Sequence, residues 1–493
     1  MKNIRVYLLS LLVLVLGSCS ESYLDVNNDP NSSLEAQPGP IFTQVIVGYS
    51  TNRVIDIGPS VSTAAQLWSG GGSLGAGVFT NPEQYNFSIF ATGNTWRTYY
   101  RDSYKDLILA ANGAREAGQT NSVVQCDIFR ALVLYSATVL WEDVPFSEAV
   151  NVDFDAPAIV SLNPNFDDQS EVLQGVIDIL DGAVALIDDS PTSFTSQDLI
   201  YGGNMESWRR FAKSLKFRTL MTLVDAEPAR STEIAAMMAE NDMINASSLN
   251  AVFPFFPTPG NRNPFWETLN SFASARNLFY FAGEAMVNLM ASRNDPRIST
   301  YFQPYPFGGS AASATGAPPG LQNFPTNPWV LSTAPVGTNG EFELVRPDAG
   351  DVLFSYQEQL FLEAEAIARG LASGDLSAAD SKLRDGITTA MNQNGISQDA
   401  ITAYLDSEIP PLASLSQEEA RVVIAEQEWI DCIIRPLEGW TTWRRTEVPA
   451  LSLPDGAATT SILRRLPYPP DELAANTNAP ADPDLDEPMY FDK

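Results

Sequence analysis

The sequence predicts a mostly α-helical fold in which tetratricopeptide-like helical hairpins form a scaffold and long irregular loops lie between them. Apolar residues recur at intervals of three and four over several long segments, as they do on one face of a helix. Neighbouring segments follow each other across short links, and a late pair carries small residues where two helices would meet, which is typical of tetratricopeptide-like units. The Trp-Leu-Gly-Tyr consensus of those repeats is not visible. Hydrophobic residues make up 44% and charged residues 18% of the 493 residues, which allows a sizeable core.

The first residues have the organisation of an export signal. Lys2 and Arg5 precede a short apolar run from Val6 to Leu16, and Gly and Ser follow before Cys19. The run is far shorter than the roughly 20 residues that span a bilayer, so it predicts a cleaved lipoprotein signal peptide over residues 1–18. The Leu-Gly-Ser-Cys order indicates a lipobox, so Cys19 is expected to become the lipidated N-terminus. The alternative is an ordinary signal peptide with an incidental cysteine.

A tether and one large domain are expected to follow the signal peptide. Residues 19–40 are predicted to form a lipidated tether, because the stretch after Cys19 is rich in Asn, Ser, Asp and Pro. After Cys19 we expect no apolar run long enough to cross a membrane. Residues 41–493 are predicted to form a single α-helical domain, with repeat-like helix pairs near 96–141, 170–225 and 352–392.

The first two helix pairs are predicted from their apolar stripes. The first stripe comprises Tyr104, Leu107, Ala111 and Ala114, and the second comprises Ile128, Ala131, Tyr135 and Val139. The link near residues 118–122 is short, so these two helices are expected to pack antiparallel. The third helix is marked by Val172, Val176, Ile179, Ala183 and Leu186. The fourth is marked by Trp208, Phe211, Leu215, Phe217, Leu220 and Val224.

The late pair shows the clearest helical pattern. One stripe comprises Leu353, Leu360, Ala364, Ile367 and Leu371, and the next comprises Ala379, Leu383, Ile387 and Ala390. Small side chains at Ala364 and Ala368 would let the helices approach closely, and Ser377-x-x-Asp380 resembles a capping box that opens the second helix. A last long helix is expected to start at Ser416-x-x-Glu419 and to end at Pro436.

Charge and composition exclude several classes of function. The formal net charge is −31 and no dense Lys/Arg stripe offsets it, which argues against nucleic-acid binding. The chain contains no histidine, which excludes His-dependent triads, His general bases and His-containing zinc sites. Cys126 and Cys432 lie in helix-like apolar patterns, so buried free thiols are expected, with one disulfide as the alternative.

No cofactor or metal site is predicted. The glycine-rich segments at 70–72 and 308–309 lack the Lys-Ser/Thr of a phosphate-binding loop. Two acidic groups could be considered for calcium, but neither has the EF-hand spacing with its glycine and terminal Glu. They are Asp25, Asn27 and Asp29, and Asp482, Asp484 and Asp486.

Six segments, spread over nearly the whole chain, carry the motifs of one known family in the right order. They are Tyr23–Asn27 with Asp29-Pro30, Trp96 to Leu107, Trp141–Ala149, Asp198–Asn204 with the Trp208 to Arg218 helix, Leu362–Gly370 with Gly386-Ile387, and Arg465–Pro469 with Glu472 and Asn476. Together they resemble the SusD/RagB family of outer-membrane nutrient-binding lipoproteins from Bacteroidetes-type bacteria. Phe146 and Asn204 depart from the family pattern, which usually has Tyr and Asp there.

The resemblance implies a fold, a location and a set of partners. It implies a SusD-like, mostly helical fold with tetratricopeptide-like hairpins as scaffold and the irregular loops on one side, forming a ligand-binding face. It implies a surface-exposed protein anchored in the outer membrane through lipid, palmitate included, on Cys19, which covers a SusC-like TonB-dependent transporter barrel. The implied cargo is oligosaccharide, or in some members peptide, and the implied protein is not an enzyme.

Three long stretches predicted to be irregular supply the side chains for such binding: roughly residues 66–95, 252–272 and 301–351. Loops of this length are uncommon in a compact domain unless they carry function or are mobile. Sugar recognition uses aromatic rings that stack on the C–H face of a pyranose and polar side chains that bind its hydroxyls. The candidate ligand-binding residues are Trp68, Tyr85, Asn261, Arg262, Trp266, Tyr305 and Trp329.

A competing interpretation applies to each of these rings, since aromatic side chains are more often buried in the core than displayed. Phe265 and Trp266 follow Asn261, Arg262 and Asn263 after one proline, so rings and hydrogen-bonding side chains are close together there.

Two other classes of function stay open on the sequence. The first is a surface-attached glycoside hydrolase or lyase acting on polysaccharide. Glycosidases use two carboxylates about 5 to 10 Å apart, but 60 acidic residues supply such pairs by chance and no segment presents one in a recognisable catalytic setting. The second is an adhesive surface protein without a small ligand, which would present a flat face instead of a lined pocket.

Overall fold

The computed structural model is mostly helical, as the sequence predicts. It describes residues 37–70, 83–87, 89–149, 163–271, 280–305, 310–311, 314–320, 327–334, 343–481 and 483–492. The signal peptide predicted over residues 1–18, the lipidated Cys19 and the tether as far as residue 36 lie outside these ranges. Residues Pro38–Lys493 form one compact unit. The last residues of the predicted tether are helical, because the first helix begins at Pro38.

The α-helices account for most of the described chain. In order they are α1 (Pro38–Asn52), α2 (Gly58–Ala64), α3 (Ile89–Tyr99), α4 (Lys105–Glu116), α5 (Thr120–Trp141), α6 (Gln169–Leu186), α7 (Met205–Leu223), α8 (Ser231–Glu240), α9 (Pro264–Ser271), α10 (Glu284–Ser292), α11 (Ile298–Tyr301), α12 (Tyr356–Ala368), α13 (Leu376–Gln393), α14 (Gln398–Ser407), α15 (Gln417–Asp431), α16 (Pro436–Thr446) and α17 (Pro470–Ala475). Two π-helical turns, Arg53–Ile57 and Tyr100–Tyr104, join α1 to α2 and α3 to α4.

The first predicted pair is an antiparallel hairpin of α4 and α5, joined by residues 117–119. The predicted stripe on α4 is buried, as is almost every residue of α5, which packs against both α4 and α6. Among the described residues, α5 is the helix long and apolar enough to cross a membrane, which the sequence analysis did not expect. Since 89% of its most apolar window is buried inside the fold, its hydrophobicity is that of a core helix.

The second pair, α6 and α7, is joined by a turn built around one carboxylate. Asp198 accepts hydrogen bonds from the backbone N–H groups of Ile200, Tyr201 and Gly203, at 2.8–3.1 Å. It also accepts one from the indole Nε1 of Trp208 at 2.7 Å, so the turn is fixed to α7. Asp198 and Trp208, which both lie in the segment that resembles the family motif, therefore hold this turn against α7.

The late pair, α12 and α13, packs closely because its contact residues are small. Ala364 and Ala368 are fully buried, and a Cβ atom on Gly386 would lie 2.7 Å from the ring of Phe361. The predicted N-cap of α13 is wrong: the side chain that accepts the first N–H groups is that of Asp375, two residues before Ser377. Leu353 lies in a strand before α12 and not on the helix.

The last long helix, α15, begins as predicted with a capping box between Ser416 and Glu419. Its predicted end is wrong, because α15 stops at Asp431 and Pro436 begins the next helix, α16. Proline at the first position of a helix costs nothing, since its missing N–H has no partner there. Cys126 and Cys432 are both buried and free.

The three stretches predicted to be irregular contain most of the β structure. The strands are β1 (Trp68–Gly70), β2 (Ala251–Phe253), β3 (Tyr280–Ala282), β4 (Phe302–Pro304), β5 (Trp329–Leu331) and β6 (Asp351–Phe354). Four of them form an antiparallel sheet in the order β1-β3-β5-β4, and β2 pairs with β6. Trp68 lies opposite Ala282 and Trp329 opposite Pro304. The prediction of loops alone is therefore corrected: short strands tie these stretches together.

Candidate functional site

The four-stranded sheet gathers candidate residues from distant parts of the sequence. Trp68 lies in β1, Trp329 lies in β5, and Tyr305 follows β4, where its N–H donates to the carbonyl of Pro328 at 2.9 Å. Trp266 lies on α9 and donates its indole N–H to the carbonyl of Ala334 at 3.0 Å, three residues after β5. The structure thus places four of the seven candidates on or beside one sheet.

Two polar candidates lie at the start of α9. The Arg262 guanidinium lies 5.3 Å from the centre of the Trp266 ring and forms a 3.0 Å ion pair with Glu267. Asn261 is exposed, and its backbone carbonyl accepts a hydrogen bond from Phe256 at 2.8 Å, which closes the preceding turn. These two side chains provide hydrogen-bonding groups near the aromatic residues.

Four of the five candidate rings pack inside the fold. Trp68, Trp266, Trp329 and Tyr85 are 5%, 2%, 6% and 1% exposed, so none of them presents an open ring face to solvent. Tyr85 has a positive φ of 63°, and burial raises the pKa of its phenol. All four of these rings belong to the main hydrophobic core.

Trp68 stands in an aromatic cluster that we call the ring cluster, formed by Trp68, Phe265 and Tyr280. The Trp68 and Phe265 rings are stacked, with centroids 5.2 Å apart and planes 12° apart. Tyr280 packs at 5.5 Å from both. The Trp68 indole N–H donates to the carbonyl of Ile433 at 3.0 Å, so the ring is held from both its face and its edge.

A cavity of about 60 Å³ lies beside this cluster, and we call it the Arg53 cavity. Trp68, Phe265, Asn263, Arg53 and Asp351 line it. The remaining wall is apolar and includes Val54, Ile57, Val61, Leu344, Ile434 and Leu437. Ile434 is 40% exposed, so it stands where the cavity meets solvent. An apolar pocket with a few convergent polar groups is the usual form of a small-ligand site.

Arg53 supplies the charge of the cavity. Its Nε bonds both carboxylate oxygens of Asp351, and its Nη2 bonds both oxygens of Glu438, all at 3.2 Å. Burial lowers the pKa of Arg53, but the two carboxylates outweigh burial and the net pKa is raised well above its ordinary value. The guanidinium is 5% exposed and stays charged.

The third nitrogen of the Arg53 guanidinium makes no hydrogen bond in the described part of the chain. Nη1 of Arg53 is buried and has no hydrogen-bond partner among the described residues. A buried donor without an acceptor costs about 1–3 kcal/mol, so such groups are rare and call for an explanation. Because Nη1 itself is buried, the structure gives it no exposure to a ligand in the cavity.

Asn263 shapes the cavity wall. Its Nδ2 donates to the carbonyl of Ala349 at 2.7 Å, and its Oδ1 accepts from the N–H groups of Phe265 and Trp266. It therefore caps α9 and fixes the loop before β6 against it. With its side chain fully engaged, Asn263 positions the ring cluster.

Three residues of the cavity wall were not among the candidates predicted from the sequence. They are Arg53 in the π-helical turn after α1, Asp351 at the start of β6, and Ile434 between α15 and α16. The prediction favoured aromatic residues in long loops and the polar side chains beside them. The available signal for Arg53 was that it is the lone cation between Val45 and Val61, a largely apolar segment. Nothing in the local sequence of Ile434 distinguishes it from a core residue.

The carboxylates at this site hold Arg53 in place. Asp351 and Glu438 share the same guanidinium, and Arg53, Arg218 and Arg435 together keep the pKa of Glu438 low in spite of its burial. Such an arrangement fixes the charged guanidinium in the cavity wall. Within the described ranges, no three His, Cys, Asp or Glu side chains are grouped so as to hold a metal ion.

Comparisons with known proteins agree on the fold. A solved SusD-like protein described as Bacteroidetes AC2a is 20% identical with a TM-score of 0.75, covering 93% of this chain and all of that one. A SusD homolog from Bacteroides fragilis is 19% identical, has a TM-score of 0.74, and covers 93% of this chain and all of its own. A chitin-binding SusD homolog from Flavobacterium johnsoniae is 20% identical, has a TM-score of 0.71, and covers 92% of this chain and 97% of its own.

No curated protein sequence matches the chain. A family model does, over residues 30–469, and its description is "Starch-binding associating with outer membrane". This match spans most of the sequence. The chain belongs to the SusD-like branch of the SusD/RagB family.

Proposed function

We propose that this protein is a cell-surface lipoprotein that captures an oligosaccharide and delivers it to a SusC-like TonB-dependent transporter in the outer membrane. The family description and the chitin-binding homolog support a glycan as cargo, with peptide as the alternative. The lipobox ending at Cys19 supports a lipid anchor. The transporter partner is proposed from family membership.

One observation carries the binding function. A ring cluster borders a largely apolar cavity whose wall includes the buried, charged side chain of Arg53. Trp68 lines this cavity directly, while Asn261, Arg262 and Tyr305 retain exposed surface and are proposed as outer contacts. Trp266, Trp329 and Tyr85 are proposed to act as buried supports for these residues.

Calorimetry on the folded protein without residues 1–19 tests the binding function. The ligands are a panel of neutral oligosaccharides, from starch, cellulose, xylan and chitin, and a panel of short peptides. We expect at least one oligosaccharide to bind, and Ile434→Ala to weaken it. Leu186→Ala is the matched control, because Leu186 is also an exposed apolar residue but lies at the end of α6, outside the cavity wall. Binding of no oligosaccharide by the folded protein would refute the proposal.

The same samples distinguish a binding protein from a hydrolase or lyase. Chromatography of each bound oligosaccharide after prolonged incubation is expected to return it intact. The appearance of shorter products with purified protein would favour the enzymatic alternative.

The anchor and the partner need experiments in cells. Growth with labelled palmitate is expected to label the wild-type protein and not Cys19→Ser, which should leave the membrane fraction. Crosslinking at the cell surface followed by purification is expected to recover a TonB-dependent barrel. An unlabelled wild-type protein would contradict lipidation, and the absence of a barrel from the crosslinked complex would contradict delivery.

A further inference from the structure

A binding surface for sugar rings needs an aromatic face that solvent can reach. Four of the five candidate rings are buried, and the fifth, Tyr305, is partly buried. Among the described residues, Phe256 is the one exposed aromatic side chain, with 50% of its surface open to solvent. Single exposed apolar side chains are ordinary on protein surfaces, and Phe256 differs from them in how its loop is held and where that loop lies.

Phe256 lies in residues 254–262, which we call the proline loop because three of its nine residues are prolines. The Phe256 N–H donates to the carbonyl of Asn261 at 2.8 Å, and the Pro257 carbonyl accepts from Nε of Arg262 at 2.9 Å. Phe256 also precedes a proline, which restricts its own backbone to the extended region. The ring is therefore carried on a backbone that is ordered before a ligand arrives, which reduces the entropy cost of binding.

Both ends of the proline loop are attached to the wall of the Arg53 cavity. At one end Phe253 pairs with Asp351 of β6, and at the other the side chain of Asn263 donates to the Ala349 carbonyl. Asp351, Asn263 and Ala349 all line the cavity. Phe256 is three residues beyond Phe253, so their Cα atoms are at most about 11 Å apart. Phe256 therefore lies close to the cavity wall.

The surroundings of Phe256 suit a neutral ligand. Residues 254–261 carry no charged side chain, although the chain as a whole has a formal net charge of −31. The cation that follows them, Arg262, is paired with Glu267 at 3.0 Å. Thr258 and Asn261 are exposed and supply uncharged hydrogen-bonding side chains. An anionic or cationic ligand would find no counter-charge on residues 254–261.

The apolar area favours a sugar over a protein as the partner of this loop. A stable protein interface buries about 800 Å² on each partner. Phe256 is the one large apolar side chain that the proline loop exposes, because Phe255 is buried. One flat ring matches the C–H face of one pyranose, whose hydroxyls bind polar side chains at its edge.

We infer that Phe256 is a stacking platform for one pyranose ring of a neutral oligosaccharide, at the edge of the site that contains the Arg53 cavity. This inference rests on the proposed glycan-binding function and adds to that site a ring that the sequence-derived candidates do not include.

Three substitutions of Phe256 test the ring by calorimetry, with the oligosaccharide of the panel that the wild-type protein binds most tightly. Phe256→Ala is expected to weaken binding by about fivefold or more, because it removes the ring. Phe256→Leu keeps an apolar side chain but has no flat face, so a similar loss is expected. Phe256→Trp keeps a flat face and is expected to bind at least as tightly as the wild type. Leu186→Ala is the matched control, because it shortens a similarly exposed apolar side chain on α6.

Phe256→Trp also gives a direct readout of contact. All nine tryptophans of the chain are buried, so the introduced indole is the one that dissolved acrylamide quenches most strongly. Saturating oligosaccharide is expected to reduce this quenching, because a stacked sugar covers the indole face. In Leu186→Trp, whose indole lies at the end of α6, the oligosaccharide is expected to leave the quenching unchanged.

The outcomes separate this inference from the proposed function. Unchanged affinity in Phe256→Ala or Phe256→Leu, or quenching in Phe256→Trp that the bound oligosaccharide does not reduce, overturns the stacking platform while glycan binding stands. Protection of the introduced indole by a peptide of the panel and by no oligosaccharide overturns the platform in favour of a peptide contact. If the wild-type protein binds no oligosaccharide, the proposed function fails and the platform fails with it.

Discussion

Glu83 is a buried carboxyl group that ties the start of the four-stranded sheet to its surroundings. It is fully buried, and its two oxygens accept hydrogen bonds from the Ser69 hydroxyl at 2.7 Å and the Gly70 N–H at 3.2 Å. Burial raises its pKa from the ordinary 4.5 to about 8, against the lowering effect of hydrogen bonds from Ser69, Gly320 and Gly70. Glu83 is therefore expected to be protonated in the folded protein at neutral pH.

The sign of the resulting pH dependence follows from linkage. A carboxyl group with a higher pKa in the folded state binds its proton more tightly there than in the unfolded chain. Its contribution to stability is complete below about pH 4.5 and is lost as pH rises to about 8. A difference of about 3.5 pH units, at about 1.36 kcal/mol each, sets an upper limit of about 5 kcal/mol.

Replacing Glu83 by glutamine isolates the pH-dependent contribution of its ionisation to stability. The protonated carboxyl can donate to Ser69 Oγ, which in turn can donate to the Pro318 carbonyl at 3.4 Å, while the other oxygen accepts from Gly70. The amide of Glu83→Gln can form the same bonds without ionising. We therefore expect Glu83→Gln to differ least from the wild type at pH 5 and to become more stable than it by several kcal/mol, at most about 5, at pH 8.5.

Urea unfolding followed by tryptophan fluorescence at pH 5, 6, 7, 8 and 8.5 measures the difference. Glu116→Gln is the matched control, because Glu116 is an exposed carboxylate at the end of α4, and its difference from wild type should stay flat. A constant difference between Glu83→Gln and wild type across this range, or a less stable variant at pH 8.5, would refute the reasoning.

Three further substitutions test local features of the fold, each by the free energy of unfolding in urea. Gly320→Ala should destabilise the protein by more than about 1 kcal/mol, since φ is +75° and a Cβ would lie 2.3 Å from the Asp455 carbonyl oxygen; an unchanged midpoint would contradict this contact. Asp198→Ala should cost about 3 kcal/mol or more, because it leaves buried donors such as the Trp208 indole without an acceptor, and a loss below about 1 kcal/mol would contradict it. Ser416→Ala should cost about 1 kcal/mol through the lost N-cap of α15, whereas a stability equal to wild type would show that the cap contributes nothing.

The helices were predictable because each carries its own repeating signal. The stripe from Tyr104 to Ala114 and the capping box at Ser416 are local patterns, and the structure confirms both. The residues at which helices begin and end were harder to predict. Asp375 and Ser377 are both good caps, and only the backbone geometry decides between them, while Pro436 can end one helix or begin the next.

The four-stranded sheet and the Arg53 cavity could not be predicted from local sequence patterns. Strands of three residues, such as Trp68–Gly70, are too short to show an alternating pattern, and their pairing joins segments more than 200 residues apart. The candidate rings illustrate the same limit, because composition cannot tell whether a loop tryptophan faces outward, like part of a binding surface, or inward, like Trp266. Arg53 was missed because its partners come from β6 and α16.

The partners of Arg53 lie 298 and 385 positions further along the chain. The wall of the Arg53 cavity is therefore completed only after β6 and α16 have been synthesised and have packed against the first helices. A chain that ended before α16 would leave the buried Arg53 guanidinium without Glu438 as a counter-charge.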